Sequence, residues 1–334
     1  MSDNEKRFPN QKDDNKHFLE IIKKNRPRLS TGSIRTYMAS IRRIQKDCDC
    51  SVETVDDIIK NKDEIVKTLG DKMTPMIRKT KISGLIVILD DKDIEHDDAR
   101  KDALEYYRKV MASDADIVSK REEEQELTET QKENLISQDD VMKVFNQIRA
   151  QALPLLKLEK LNKAQFELLQ SYVLLSLYTM IPPRRSTDYT AFKIRNFDDS
   201  QTSKDNYMTN FNKNKRKGLS SFVFNTYKNS TRLGRQVIEI PKTLEKVIEI
   251  WKQFNKSDWL LVNSHGNPVT QTKIVYWLNE IFGKNISSSL LRHIFLTSKY
   301  SNVNLRELKN DTEMMGNSEI ERSLIYVQKP DNES

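Results

Sequence analysis

The sequence predicts a mostly α-helical chain in two parts, with one small antiparallel β-sheet in the second. Three observations carry this. Apolar residues recur at helical spacing through the first 118 residues, and a Glu-rich stretch interrupts the chain at 119–136. Two strand-like runs, Ser220–Tyr227 and Arg235–Ile240, then flank a polar turn. The length of 334 residues suits about two domains. Hydrophobic residues make up 37% and charged residues 31%, enough apolar matter for real cores under a solvated shell. No apolar run approaches the roughly 18 residues of a membrane helix, so no membrane partner is expected. Residues 1–14 read as a polar, disordered tail with no signal-peptide core. The two cysteines, Cys48 and Cys50, are too close for an ordinary disulfide staple and read as plain thiols, so an intracellular protein is expected.

Residues 15–118 read as a helical domain. Ser30 or Thr31 can cap a helix whose apolar stripe is Ile34, Tyr37, Met38, Ile41 and Ile44, with Arg35, Arg42 and Lys46 on its other face. Thr74-Pro75 opens a helix through Leu89, since proline suits a first helical turn. Ala99–Val118 is a further amphipathic segment, with Leu104, Tyr107, Val110 and Met111 on one side. The stretch 119–136 can bury little and reads as a charged linker or exposed helix.

Residues 137–334 read as a mixed domain. Ser137 and Asp140 form a capping-box pattern. Phe166–Ile181 is a nearly continuous apolar stretch, a buried helix stopped by Pro182-Pro183. The two strand runs make a β-hairpin across Lys228–Gly234. Helices are then expected at Lys242–Phe254, Gln271–Phe282, Ser288–Tyr300 and near Asn304–Met314. Trp251 and Phe254 fall on an apolar stripe and read as core.

Charge is sorted along the chain. Residues 1–137 carry 27 Lys and Arg against 29 Asp and Glu, whereas 138–334 carry 29 against 20. Within the acidic half, Ile21–Lys46 holds eight basic residues and no acid, Arg43 among them. Such sorting points to a polyanion, and to nucleic acid before membrane because no apolar anchor accompanies it. A merely solvated basic face explains the charge equally well. The cluster Lys213, Lys215, Arg216 and Lys217 reads either as a flexible connection or as a phosphate contact.

Familiar catalytic signatures do not occur. The four histidines and two cysteines lack zinc-ligand spacing, and there is no Walker loop, GxGxxG or GxSxG. Four other features stand in order: Pro182-Pro183-Arg184-Arg185-Ser186-Thr187-Asp188-Tyr189, Lys228 in the hairpin turn, Ser289-Leu290-Leu291-Arg292-His293, and Met315-Gly316-Asn317 followed by Tyr326. Each alone has a plainer reading. Arg184-Arg185 can be surface arginines, Lys228 a solvated turn residue, Arg292 a partner of some carboxylate, and Tyr326 a frayed terminal aromatic.

Together, the order and spacing resemble the tyrosine recombinase/integrase family. Arg185 with Asp188 matches the family's Arg-x-x-Glu/Asp box, and Lys228 matches its hairpin lysine. Arg292 matches the arginine of the His-x-Leu-Arg-His box. Asn317 stands at the histidine of the Leu-Gly-His box, with Tyr326 nine residues on as the nucleophile. The match is specific over residues 138–326 and only compatible over 15–118. The Pro-Pro-Arg-Arg-x-x-Asp-Tyr form is more similar to divergent members from eukaryotic DNA viruses and mobile elements than to the bacterial type.

The resemblance implies a helical core-binding (SAM-like) domain followed by an α+β catalytic domain. It also implies site-specific cleavage and rejoining of double-stranded DNA without metal, ATP or other cofactor, by dimers or tetramers assembled on DNA in the nucleus or cytoplasm of a host cell. A type IB topoisomerase or a telomere resolvase shares this chemistry. Arg35, Arg42, Arg43, Lys46, Lys213, Lys215, Arg216, Lys217 and Arg232 are the candidate DNA contacts.

The chemistry explains the residue types. A phosphodiester gains negative charge as it is attacked, and two arginines can grip its free oxygens with fork-shaped permanent cations. Preorganised donors of this kind are commonly worth about 10²–10³ in rate. A phenol with an ordinary pKa near 10 needs such a cage to attack at neutral pH. The expelled 5′-oxygen needs a proton, for which Lys228 is the candidate acid. Two positions depart from the family pattern: Ser289 replaces the usual His or Lys, and Asn317 the usual His or Trp. Asn317 can donate a hydrogen bond, but neither residue shuttles protons as imidazole does. A DNA-binding relative with impaired catalysis is therefore a further expectation, and His293 reads as a structural histidine.

Overall fold

The computed structural model describes residues 15–91, 95–123, 129–209 and 220–300, together with 311, 314 and 315. The chain forms two compact units, Met1–Glu124 and Gln125–Ser334.

Unit 1 is helical: α1 (Lys16–Asn25), α2 (Thr31–Asp47), α3 (Val55–Lys60), α4 (Lys62–Lys72), α5 (Pro75–Leu89) and α6 (Asp98–Glu123). Ser30 caps α2 by accepting from the Ser33 N–H at 3.1 Å, and Pro75 occupies the first turn of α5. Met38, Ile41 and Ile44 of the predicted stripe are buried against Phe18, Ile22, Leu85 and Ile88, while Ile34 and Tyr37 pack at its margin. Within this core the Tyr107 hydroxyl donates to the Ile58 carbonyl at 2.9 Å, and fully buried Asp114 is held by Arg78 at 2.8 and 2.5 Å. A buried hydroxyl or carboxylate without such partners would cost several times what it now contributes.

Unit 2 begins with α7 (Glu129–Asn134) and α8 (Gln138–Ala152), the latter started by the reciprocal Ser137–Asp140 capping box. α9 (Lys163–Thr179) is buried almost all round, from Leu169 through Tyr178. Its exit passes through Pro182-Pro183 into a 3-10 turn at Ser186–Tyr189. There follow β1 (Phe192–Lys193), β2 (Asn206–Thr209), β3 (Ser221–Phe224), α10 (Ser230–Leu233), β4 (Gln236–Glu239), α11 (Lys242–Phe254), α12 (Gln271–Phe282) and α13 (Ser288–Tyr300). Trp251 is fully buried, donates from its indole to the Leu260 carbonyl at 2.7 Å, and packs 4.7 Å from the Phe166 ring. Phe254 lies against the same core.

The sheet runs β1-β2-β3-β4 and corrects one expectation. The β2–β3 and β3–β4 pairs are antiparallel, but β1 and β2 are parallel, so the sheet is mixed. A parallel pair needs a connection long enough to return the chain to its starting edge. Residues 194–205 provide it, pinned by the Lys193–Asp205 ion pair at 2.8 Å. The expected hairpin is β3–β4, in register from Ser221↔Glu239 to Phe224↔Gln236, with the short helix α10 in its connection. β3 stops early because the Asn206 side chain accepts from the N–H groups of Asn225 and Thr226, both at 2.9 Å, and draws the chain off the ladder. Gly234, with φ at 68°, ends α10 in a region other residues rarely enter. The helix expected near Asn304–Met314 lies largely outside the described residues. Among the described residues, no helix is long and apolar enough to cross a membrane.

Candidate active site

The apolar helix α9 fixes where the first arginine box emerges, and the two prolines deny it another turn. Arg184 is then fully buried. Its Nε donates to Asp188 Oδ2 at 2.9 Å, and its Nη1 donates to Gln236 Oε1 at 3.0 Å and to the Met314 carbonyl. The guanidinium lies 3.8 Å from the centre of the Phe224 ring and 5.1 Å from that of Tyr227. Burial pushes the Asp188 carboxyl above its usual range, and the attraction of Arg184 works against that rise. Sequence reasoning passed over Arg184 as a neighbour of Arg185. The usable signal was an arginine straight after an apolar helix, four residues ahead of a carboxylate.

Arg185 is half-buried. Its Nη1 is enclosed and has no hydrogen-bond partner among the described residues, while its carbonyl accepts from the Asp188 N–H at 2.9 Å. The next residue makes the decisive long-range link: the Ser186 N–H donates to Ser288 Oγ at 3.1 Å. Ser288 begins α13, and Arg292 lies one turn further on, only 2% exposed. Tyr178 at the end of α9 is fully enclosed, and burial drives its phenol well upward. Tyr189 and Asp188 add to the rise, while Ser288 and Arg292 oppose it. The chain thus gathers the first arginine box and the Arg292 helix round Tyr178 and the Ser186–Ser288 bond.

The other candidates are spread more widely. Ser289 is exposed at the start of α13. His293 is half-buried and lines a pocket with Ile136, Ser137, Asp140 and Lys284, which suits a structural histidine. Lys228 is exposed in the β3–β4 connection, directly after Tyr227, whose hydroxyl donates to the Gly234 carbonyl at 2.8 Å. Arg232 is exposed on α10. Met315 is buried beside Met314. Asn317, Tyr326, Lys213, Lys215, Arg216 and Lys217 lie outside the described residues.

In unit 1, Arg35, Arg42, Arg43 and Lys46 are all exposed along α2. Arg43 is ion-paired to Asp47 at 2.5 Å, so part of that basic face is locally neutralised. Cys48 is buried, its thiol pushed up to about 11 mainly by burial, and both cysteines are free. Among the described residues, no group of three or more His, Cys, Asp or Glu side chains could hold a metal ion.

No family model matches the chain, and no curated protein matches it. Solved structures do. A lambda integrase dimer bound to a COC' core site is 10% identical, covering 96% of this chain and 78% of that one, with a TM-score of 0.50. A lambda integrase tetramer bound to a Holliday junction is 11% identical over 96% of this chain and 78% of that one, with a TM-score of 0.44. XerA recombinase is 11% identical over 95% and 94% of the two chains, with a TM-score of 0.40. The first of these likenesses shows the fold: a helical unit followed by a mostly helical unit with a small mixed sheet, as in lambda integrase.

Proposed function

We propose that this protein is a DNA strand-cleaving and rejoining enzyme, a site-specific recombinase working through a covalent 3′-phosphotyrosine. The observation that carries the reading is the Ser186–Ser288 bond at 3.1 Å, which ties the Arg185 box to the Arg292 helix across 102 residues of chain. Half-buried Arg185 precedes one end of that bond and buried Arg292 follows the other by one turn, an arrangement that suits two arginines serving one anion. In this reading the two fork-shaped guanidiniums grip the free oxygens of the phosphate.

In this reading the Tyr326 hydroxyl attacks phosphorus and releases its proton to solvent. The P–O5′ bond breaks with its electron pair on oxygen, and Lys228 protonates the departing 5′-hydroxyl. The phosphotyrosine conserves the energy of the broken bond, so rejoining to another 5′-hydroxyl needs neither ATP nor metal. Double-stranded DNA is the partner in this reading, the exposed basic side chains of α2 supplying phosphate contacts, with the protein self-associating on it. The lambda integrase dimer that shares the fold sits on such a core site.

A suicide DNA substrate carrying the cognate site tests the reading. The expected result is a covalent adduct that disappears in Tyr326→Phe, and no adduct from the intact protein would overturn it. Ser289, exposed where the family pattern has His or Lys, favours a second reading, a DNA-binding relative without catalysis. That reading predicts salt-sensitive binding and no adduct.

A further inference from the structure

Arg184 occupies neither of the arginine positions singled out for phosphate, yet it is fully enclosed in unit 2. Burying a permanent cation is expensive, and its surroundings must be built to match it. Here they come from four places: Asp188, Gln236 on β4, the Met314 carbonyl, and the rings of Phe224 and Tyr227 at the exit of β3. Tyr227 is the informative member. Its ring lies over the guanidinium, its hydroxyl closes the β3–β4 connection onto Gly234, and the next residue is Lys228.

We propose that Arg184 is a positioning residue: by seating the Tyr227 ring, it sets where the Lys228 ammonium stands relative to the departing 5′-oxygen. The inference rests on the recombinase reading of Lys228 given above. Lys228 itself is exposed on a short connection, so its reach is decided by the residue that anchors that connection to the interior. The step served is a proton transfer. As the Tyr326 oxygen bonds to phosphorus, the P–O5′ electron pair leaves on oxygen. That oxygen takes a proton from Lys228, and the resulting amine regains one from water. Arg184 touches none of these atoms.

The test compares two suicide DNAs, identical except that the bridging 5′ atom at the scissile phosphate is oxygen in one and sulfur in the other. A thiolate departs without an acid, so sulfur rescues defects in protonation and no others. Adduct formation is followed for the wild type, Lys228→Ala, Arg184→Met and Tyr227→Leu in the full chain. The three variants are expected to lose about 10²-fold or more on the oxygen substrate and to run close to wild type on the sulfur substrate. Equal loss on both substrates by Arg184→Met would overturn the proposal, since Arg184 would then act through Met314 or through the fold at large. Full activity of Arg184→Met on oxygen would overturn it too.

Because removing a buried cation can unfold the unit, Tyr227→Leu carries the test independently. It leaves the bonds of Arg184 to Asp188 and Gln236 in place, and an undiminished rate on oxygen would refute the proposal. If the wild type forms no adduct on either substrate, the recombinase reading fails, and the inference with it. If the wild type reacts but Lys228→Ala is not rescued by sulfur, the acid assignment fails and the positioning role with it, while the recombinase reading stands.

Discussion

Replacing either member of the Arg184–Asp188 pair should destabilise unit 2, but by unequal amounts and with different pH dependence. Both side chains are fully buried, 2.9 Å apart. Removing one partner of a buried pair costs about 3–5 kcal/mol, because the other charge is left uncompensated. The two survivors differ in their options. In Asp188→Asn, Arg184 keeps its charge at every accessible pH, so the penalty stays near that full range. In Arg184→Met, Asp188 can neutralise itself by taking a proton, and burial already pushes its carboxyl upward.

The sign follows. A carboxyl raised in the folded state binds its proton more tightly than in the unfolded chain. Its contribution to stability is therefore greatest at low pH and is lost as pH rises through the folded-state value. Arg184→Met removes the opposing attraction and steepens that dependence. Its deficit against wild type should therefore shrink on acidification, while that of Asp188→Asn should not. For a unit of this size the full penalty corresponds to a fall in Tm of about 6–20 °C. Melting curves of both variants at pH 5 and pH 8 measure it. An Asp188→Asn protein melting with wild type, or an Arg184→Met deficit that grows on acidification, would refute the reasoning.

Three further outcomes are expected. Ser288→Ala strips the buried Ser186 N–H of its acceptor and should cost about 1–3 kcal/mol in urea unfolding; if Arg185 and Arg292 cooperate on one phosphate, adduct yield should fall as well. Arg35→Ala should lower the slope of log affinity for DNA against log salt by about 0.9. Arg43→Ala should change it less, because Asp47 already neutralises that side chain, and equal changes would argue against the α2 face as the phosphate contact. Trp251→Ala should cost about 3–5 kcal/mol by emptying a fully buried site without altering the melting of unit 1, readable by calorimetry.

Much of the architecture was legible along the chain because it rests on local rules. The ranges expected for Lys242–Phe254, Gln271–Phe282 and Ser288–Tyr300 coincide with α11, α12 and α13. The cap of α2, the proline start of α5 and the Ser137–Asp140 box were each readable within a few residues. The six-residue α3 is too short for a stripe to show, whereas α1 places Phe18 and Ile22 one turn apart on its buried face, a signal the sequence does carry. The parallel β1–β2 pairing left no local trace, because strand direction is decided by the path of residues 194–205 and not by the two residues of β1.

The candidate site divides the same way. It was the resemblance to the recombinase family, carried by the order and spacing of a few motifs, that singled out Arg185, Lys228 and Arg292. Only the folded chain decided that adjacent arginines part company, Arg184 turning inward onto Asp188 and two aromatic rings while Arg185 keeps an enclosed donor without a hydrogen-bond partner among the described residues. The physical reason is range. Spacing along the sequence encodes periodicity and caps, whereas burial, counter-charge and the meeting of Ser186 with Ser288 depend on groups that only tertiary packing brings within hydrogen-bonding distance.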